Sequence, residues 1–358
     1  MAIRITVRMA IRRFGDPTIR PKPDRSKRCA GGRLPNVGCG LPQLGGGLSN
    51  LNHRSPTLIV FTGALPGLHR TGSGPASFRG RPVRPSARPH SPNGNSMTRI
   101  LQLTDLHVFA DADAQLQGIP TRVLLQQVVD QILQTEPAFD YVIVTGDHTH
   151  DESPAAYQAV REILAPWADR LLQVPGNHDD RPLLQATFPG IATQARTPDC
   201  LSFCQDTDHW RLIGLDTHVP GEVPGRVETD QLQWLQLQLQ QTTKNAVALF
   251  FHHPPVDTGS EWMDAIGLDN REALCRVVQA DDRIRLICCG HVHHEFEFSL
   301  AQAKIYTTPS TGIQFDPSGS VPRFATAAPG YRIIELSEHD FATRVVRLPT
   351  PPLTPLNN

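Results

Sequence analysis

The residues with the most chemistry to offer stand in five short clusters. Asp105 and His107 are two apart in TDLH, Asp147 follows a glycine in TGDH, and Asn177 and His178 are adjacent in PGNHD. His252 opens HHPP, and His291 and His293 are two apart in GHVHH. Carboxylate, imidazole and carboxamide together suit Mn(II), Fe or Zn in a hydrolytic centre, whereas structural zinc favours thiolates. Cys288 and Cys289 do precede the last cluster, in ICCGHVHHEF. They raise two competing readings, half of a structural zinc site or a redox pair beside chance histidines. Two ions about 3.5–4 Å apart would share a ligand, and a carboxylate has two oxygens with which to bridge them. The candidate ligands are Asp105, His107, Asp147, Asn177, His252, His291 and His293. In extended chain, residues i and i+2 point to one side, so D-x-H and H-x-H can each face one centre.

Each cluster follows a short apolar run: RILQL, DYVIV, RLLQV, AVALFF and IRLICC. Runs of this length, rich in Val, Ile and Leu and closed by Gly or Pro, read as buried strands. Helical patterns lie between them. PTRVLLQQVVDQILQ places Leu124, Val128 and Ile132 on one stripe, with Pro120 suited to the first turn. DQLQWLQLQLQQ alternates like a strand, yet its length and Gln content favour a helix with Leu232, Leu235 and Leu239 on one face. DNREALCRVVQA places Leu274 and Val278 together and offers Asp269 as a cap. Strands alternating with helices, then β-rich sequence from Glu295 onward, predict an α/β core with antiparallel additions. Ligands in such sheets collect at the carboxyl ends of strands.

These motifs, in this order, resemble the signature of calcineurin-like metallophosphoesterases. Within that superfamily the chain looks like the bacterial class III 3′,5′-cyclic-AMP phosphodiesterases, through DESPAAYQ, QVPGNHDDRPLL, EWMDAIGLDN, TTPSTGIQFDP and APGYRIIEL, over about Arg99 to Arg347. The resemblance implies a four-layer αββα sandwich of two mixed β-sheets. It implies one ion on Asp105, His107 and His293, a second on Asn177, His252 and His291, and Asp147 between them. A bridging hydroxide would hydrolyse 3′,5′-cyclic AMP to 5′-AMP, with Fe and Mn the expected metals and Zn an alternative. His178 would be catalytic, meeting the phosphate and protonating the leaving 3′-oxygen; His107, Asn177 and His293 would contact substrate beside it. On this reading Cys288 and Cys289 pack as small apolar residues.

Several neighbours keep more than one reading. His148, in GDHTHD, departs from the apolar residue usual in the family; it orients Asp147, competes for metal, or is a partly buried neutral histidine without a role. Trp262, Asp264 and Asn270 form either a cap over a nucleotide or an ordinary loop and helix start. His253 orients a ligand or is merely strand-terminal, and Arg181 contacts a phosphate or is a solvated surface residue, the second reading being the expectation for each; His294 is read as facing away from the centre. Another small phosphodiester or phosphomonoester would suit the same centre, and a non-catalytic nucleotide sensor is the reading from a different class.

The charge is divided along the chain. Of 34 basic and 35 acidic residues, 16 and 2 precede Met97, leaving 18 and 33 after it, a net charge of −15. A body so acidic lacks the basic stripe that tracks nucleic acid. Residues 1–96, rich in Arg, Gly and Pro, read as a disordered extension. It is a basic arm, a transit segment, or translated upstream DNA with Met97 as the true start, and the last is the expectation. Seven cysteines without regular spacing argue against a disulfide framework. No apolar run reaches the roughly 18 residues of a membrane span, so a cytoplasmic enzyme with a cyclic-nucleotide partner, and neither nucleic acid nor membrane, is expected.

Overall fold

The computed structural model describes residues 97–189, 200–349 and 353–356; the extension before Met97 lies outside them. The five apolar runs become strands of two sheets. The first contains β1 (Thr98–Leu103), β2 (Tyr141–Thr145), β3 (Leu171–Val174), β12 (Gly330–Leu336) and β13 (Phe341–Arg347), in the order β13-β12-β1-β2-β3. The second contains β4 (Phe203–Asp206), β5 (Trp210–Gly214), β6 (Ala246–Phe250), β7 (Ile284–Cys289), β8 (Glu297–Leu300) and β9 (Ala303–Thr307), in the order β4-β5-β6-β7-β9-β8. Two short strands, β10 (Gln314–Asp316) and β11 (Arg323–Ala325), pair separately. β1, β2 and β3 are parallel, as are β5, β6, β7 and β9; the remaining pairings are antiparallel. Both sheets are therefore mixed.

The runs are apolar throughout because each strand is covered on both faces. Ile100, Ile143 and Val174 meet Ala248, Phe250, Leu286 and Cys288 in a core between the sheets. Their neighbours Leu101, Leu103, Val142 and Val144 point the other way. There they pack under α1 (Thr121–Thr135) and α2 (Pro154–Ile163), through Leu124, Leu125, Val128, Tyr157 and Val160. Val247, Leu249, Ile287 and Cys289 similarly lie under α4 (Thr229–Gln241) and α6 (Arg271–Ala280). The result is the four-layer arrangement. Short helices α3 (Arg181–Thr187) and α5 (Glu261–Asp264) complete the set.

The ambiguous Leu/Gln stretch is helical, with Trp234, Leu235 and Leu239 buried. Pro120 stands at the cap position, one residue before α1. The expected cap of α6 needs correction. Asn270, not Asp269, precedes that helix, and its carboxamide instead closes a pair of hydrogen bonds with the Val227 backbone. Among the described residues, no helix is long and apolar enough to cross a membrane.

Candidate metal centre

All seven candidate ligands follow strand ends. Asp105 and His107 follow β1, Asp147 follows β2, Asn177 follows β3, His252 follows β6, and His291 and His293 follow β7. Within each sheet these strands are parallel, so their carboxyl ends share one edge, and the two edges together gather the side chains. His107 Nε2 lies 3.1 Å from His293 Nε2, and His293 Nε2 lies 3.2 Å from Asp105 Oδ1. On the other side, His252 Nε2 lies 3.2 Å from Asn177 Oδ1 and 3.2 Å from His291 Nδ1. Asp147 Oδ2 stands between the groups, 3.5 Å from His107 Nε2 and 3.4 Å from His252 Nε2.

The expected reason for the D-x-H and H-x-H spacing does not hold. Asp105, His107, Asp147, His291 and His293 have φ of 52°, 46°, 54°, 72° and 43°, in the left-handed region and not in extended chain. Each costs on the order of 1 kcal/mol or more for a residue with a Cβ. Backbone bonds hold them there: Asp105 N–H donates to Gly146 O at 3.0 Å, and His107 N–H to Asp147 O at 3.0 Å. His291 N–H donates to the Asp105 carboxylate, 3.1 Å from either oxygen. Gly146, at φ 98°, lets the β2 end pass Gly176: a Cβ on it would meet the Gly176 N and His252 Nδ1 at 2.6 Å.

The donor atoms fit a bound cation. His252 Nδ1 faces Thr145 O at 2.7 Å, His291 Nε2 faces Ile266 O at 3.0 Å, and His293 Nδ1 faces Ile313 O at 2.8 Å. A carbonyl only accepts, so each outer nitrogen donates, and in the neutral ring the inner nitrogen turns a lone pair to the cluster. Burial, with His252 beside it, pushes His291 down to about 3, and burial foremost holds His107 well below the usual imidazole range. Burial would lower His252 too, but the Asp147 and Asp105 carboxylates push it up to about 9. Burial opposes ionisation of Asp147, yet His252, His178 and His107 hold its carboxyl well below the usual range. Two buried carboxylates whose nearest partners are imidazoles call for positive charge at this point. The His/Asp cluster can thus hold a dinuclear divalent centre.

The cluster opens into a cavity of about 100 Å³ lined on one side by His107, Asp147, Asn177, His178, His291 and His293. Trp262, Phe315, Phe324, Ile266, Val223 and Leu116 form much of the rest. The backbone N–H of His178 donates to Asp147 Oδ1 at 2.9 Å. Its half-buried ring stands 5.0 Å from that of His107. Phe315 stacks on His293 at 4.1 Å and meets Trp262 edge-on at 5.2 Å. Of the aromatic wall, the sequence points to Trp262 but not to Phe315 or Phe324. The wall's members come from a short helix, a loop and the β10–β11 pair, which share no local pattern.

The neighbours with more than one reading separate. His148 is fully buried, and its ring turns away from the ligands to Asp179 Oδ2 at 3.0 Å and Gln173 Oε1 at 2.8 Å. It neither orients the Asp147 side chain nor competes for metal. Asp179 in turn accepts from Gly176 N–H at 2.8 Å and Tyr157 O–H at 2.9 Å, and so ties down the loop that presents Asn177 and His178. His148→Leu should cost about 2 kcal/mol of stability by leaving the buried carboxylate short of a charged-group hydrogen bond; urea unfolding of variant and parent measures it. His253 uses both ring nitrogens, on Thr217 Oγ1 at 2.8 Å and Val223 O at 2.9 Å. Arg181 is not solvated as expected. It pairs with buried Asp216, Nε to Oδ2 at 2.6 Å. Trp262 lines the cavity, while Asp264 caps the Thr258 backbone and Asn270 holds Val227. Cys288 and Cys289 are buried in two different cores, and His294 turns to Phe315 O at 3.3 Å. His150 was missed: it lines the cavity, and the signal was the second histidine of GDHTHD.

A two-sheet αββα sandwich carrying a carboxylate–imidazole cluster at its strand ends defines a metal-dependent hydrolase. The family model for calcineurin-like phosphoesterases matches residues 98–295, and the chain belongs to that family. It is 35% identical over 255 residues to the 3′,5′-cyclic adenosine monophosphate phosphodiesterase CpdA of Pseudomonas aeruginosa, covering 71% of this chain and 90% of that one. Identity to the protein of the same name from Escherichia coli strain K12 is 33% over 256 residues, covering 71% and 91%. A dimetal phosphatase from Danio rerio shares the fold, with a TM-score of 0.52 at 18% identity over 69% of this chain and 98% of that one.

Proposed function

We propose that this metallophosphoesterase hydrolyses 3′,5′-cyclic AMP to 5′-AMP. Asp105, His107 and His293 hold one divalent ion, Asn177, His252 and His291 hold the other, and Asp147 bridges them, with iron or manganese as the metals. The observation that carries the substrate is the cavity wall. An aromatic and aliphatic face directly beside a phosphoryl-binding cluster fits an ester with a flat organic group. The named activity of the bacterial relatives agrees with this reading.

Bound ions supply positive charge that neutralises the phosphoryl oxygens and makes a water molecule acidic. The chain does the rest. Asp147 holds the His178 backbone N–H, so the residue that meets the phosphate is fixed to the bridging carboxylate. A water oxygen bonds to phosphorus opposite the 3′-oxygen as the P–O3′ bond breaks, His178 donates a proton to the departing oxygen, and the water's own proton passes to solvent. His107 and His293 form the floor beneath the phosphate, and Phe315, stacked on His293, joins that floor to the base wall.

The test is turnover by the Mn(II)-loaded protein of 3′,5′-cAMP beside 3′,5′-cGMP, 2′,3′-cAMP and bis(p-nitrophenyl) phosphate. Conversion of 3′,5′-cAMP to 5′-AMP that disappears in Asn177→Ala is expected. Cleavage of the artificial diester alone would retain the phosphoesterase and discard the cyclic nucleotide.

A further inference from the structure

Three of the four imidazoles at the centre turn their outer nitrogen to a backbone carbonyl; His107 does not. Its Nε2 faces the cluster and its Nδ1 lies 3.4 Å from the Nδ1 of His150. If His107 ligates through Nε2 its outer nitrogen carries a proton, and His150 Nδ1 is then the acceptor. The His150 ring also stacks on His178, with centroids 5.0 Å apart and planes 22° from parallel. One side chain therefore touches both a candidate ligand and the candidate proton donor.

The fold holds His150 in place independently of either contact. Beyond their last ladder pairs, the β1 and β2 segments continue side by side through a Val108–Thr149 bridge. His150 N–H donates to Val108 O at 3.0 Å, and Val108 N–H to His148 O at 3.2 Å. Phe109 backs the ring with centroids 4.7 Å apart. These backbone bonds continue the ladder in which His107 N–H meets Asp147 O, and so place His150 beside His107.

We infer that His150 is a positioning residue that accepts the His107 Nδ1–H, orienting that ligand, and supports the ring of His178 against the phosphate. The inference rests on the metal and substrate reading above. Hydrogen bonds of this kind fix a ligand's tautomer and ring direction, and their loss costs about 10- to 100-fold in metal affinity. Ring stacking adds a smaller orienting energy, on the order of tenfold in rate if lost from the reacting geometry.

Two substitutions in the full chain separate the contacts. His150→Phe keeps a ring for His178 and removes the acceptor; His150→Gln keeps an acceptor for His107 and removes the ring. Calorimetric titration with Mn(II) should show one of two sites weakened about tenfold or more in His150→Phe, and both retained in His150→Gln. Kinetics on 3′,5′-cAMP at saturating metal should show kcat reduced about tenfold in His150→Gln with KM unchanged, an effect absent when His178 is already alanine. Parental affinity in His150→Phe, or parental kcat in His150→Gln, overturns the inference. So does a third equivalent of Mn(II) lost in both variants, because His107, His150 and His178 would then be ligands to one further ion. If the parent binds two ions yet leaves cAMP intact, the substrate reading fails by itself, and the His150→Phe affinity still decides the hydrogen bond.

Discussion

Replacing Asp147 with alanine should leave a protein that retains neither ion at full occupancy and loses at least roughly 10³-fold in activity, equivalent to about 4 kcal/mol of transition-state stabilisation. The reasoning is geometric. Asp147 Oδ2 lies within 3.5 Å of an imidazole from each half of the cluster, so one side chain serves both proposed sites. Its other oxygen receives the His178 N–H, so the substitution also frees the loop that carries Asn177 and His178. Four buried imidazoles would remain with Asp105 as the nearest carboxylate, too little negative charge to hold two dications. Elemental analysis after gel filtration reads the outcome. Two full equivalents in Asp147→Ala would sink the bridging assignment, whereas one would show that the residue serves a single ion.

His178→Ala should behave differently, keeping both ions and losing about 10²- to 10⁴-fold in kcat on 3′,5′-cAMP. The residue contributes to the cluster through its backbone, and alanine preserves that N–H. Its ring lines the cavity beside His107, where a phosphate would sit. The 3′-oxygen leaves as an alkoxide unless it is protonated, so removing the donor slows this substrate most. p-Nitrophenolate departs readily without a proton, so the loss on bis(p-nitrophenyl) phosphate should be much smaller. An equal loss on both substrates would show that His178 meets phosphoryl charge and does not protonate the leaving group. Loss of an ion would show that the ring is itself a ligand.

Parallel strands buried on both faces must be apolar along their whole length, and the five runs ending in Asp, His or Asn carried that pattern openly. Ligand types at strand ends are local facts of sequence, so the alternating helices and the seven residues at strand ends are legible there, whereas the division into two mixed sheets follows from the family resemblance. The helix cap at Asp269 failed because Asn270 is drawn away by Val227, 43 positions earlier in the chain. Arg181 was read as solvated because its partner, Asp216, stands 35 residues away. His148 is unreadable for the same reason, since its partners are Gln173 in β3 and Asp179 in the loop that follows it.

By itself the sequence determined which side chains are available, their order along the chain, and the alternation of strand and helix that delivers them to one edge. The tertiary structure decided how they are held. The left-handed backbone at five ligands costs energy that hydrogen bonds from neighbouring strand ends offset, and no i, i+2 rule foresees it. Which nitrogen of each imidazole faces the cluster is set by carbonyls of Thr145, Ile266 and Ile313, as many as 107 residues away. The aromatic wall of Trp262, Phe315 and Phe324 forms only when the segment that follows β6 meets the one that follows β9. A hydrogen bond or a ring contact depends on positions in space within a few tenths of an ångström, and those are properties of the packed chain, not of any stretch within it.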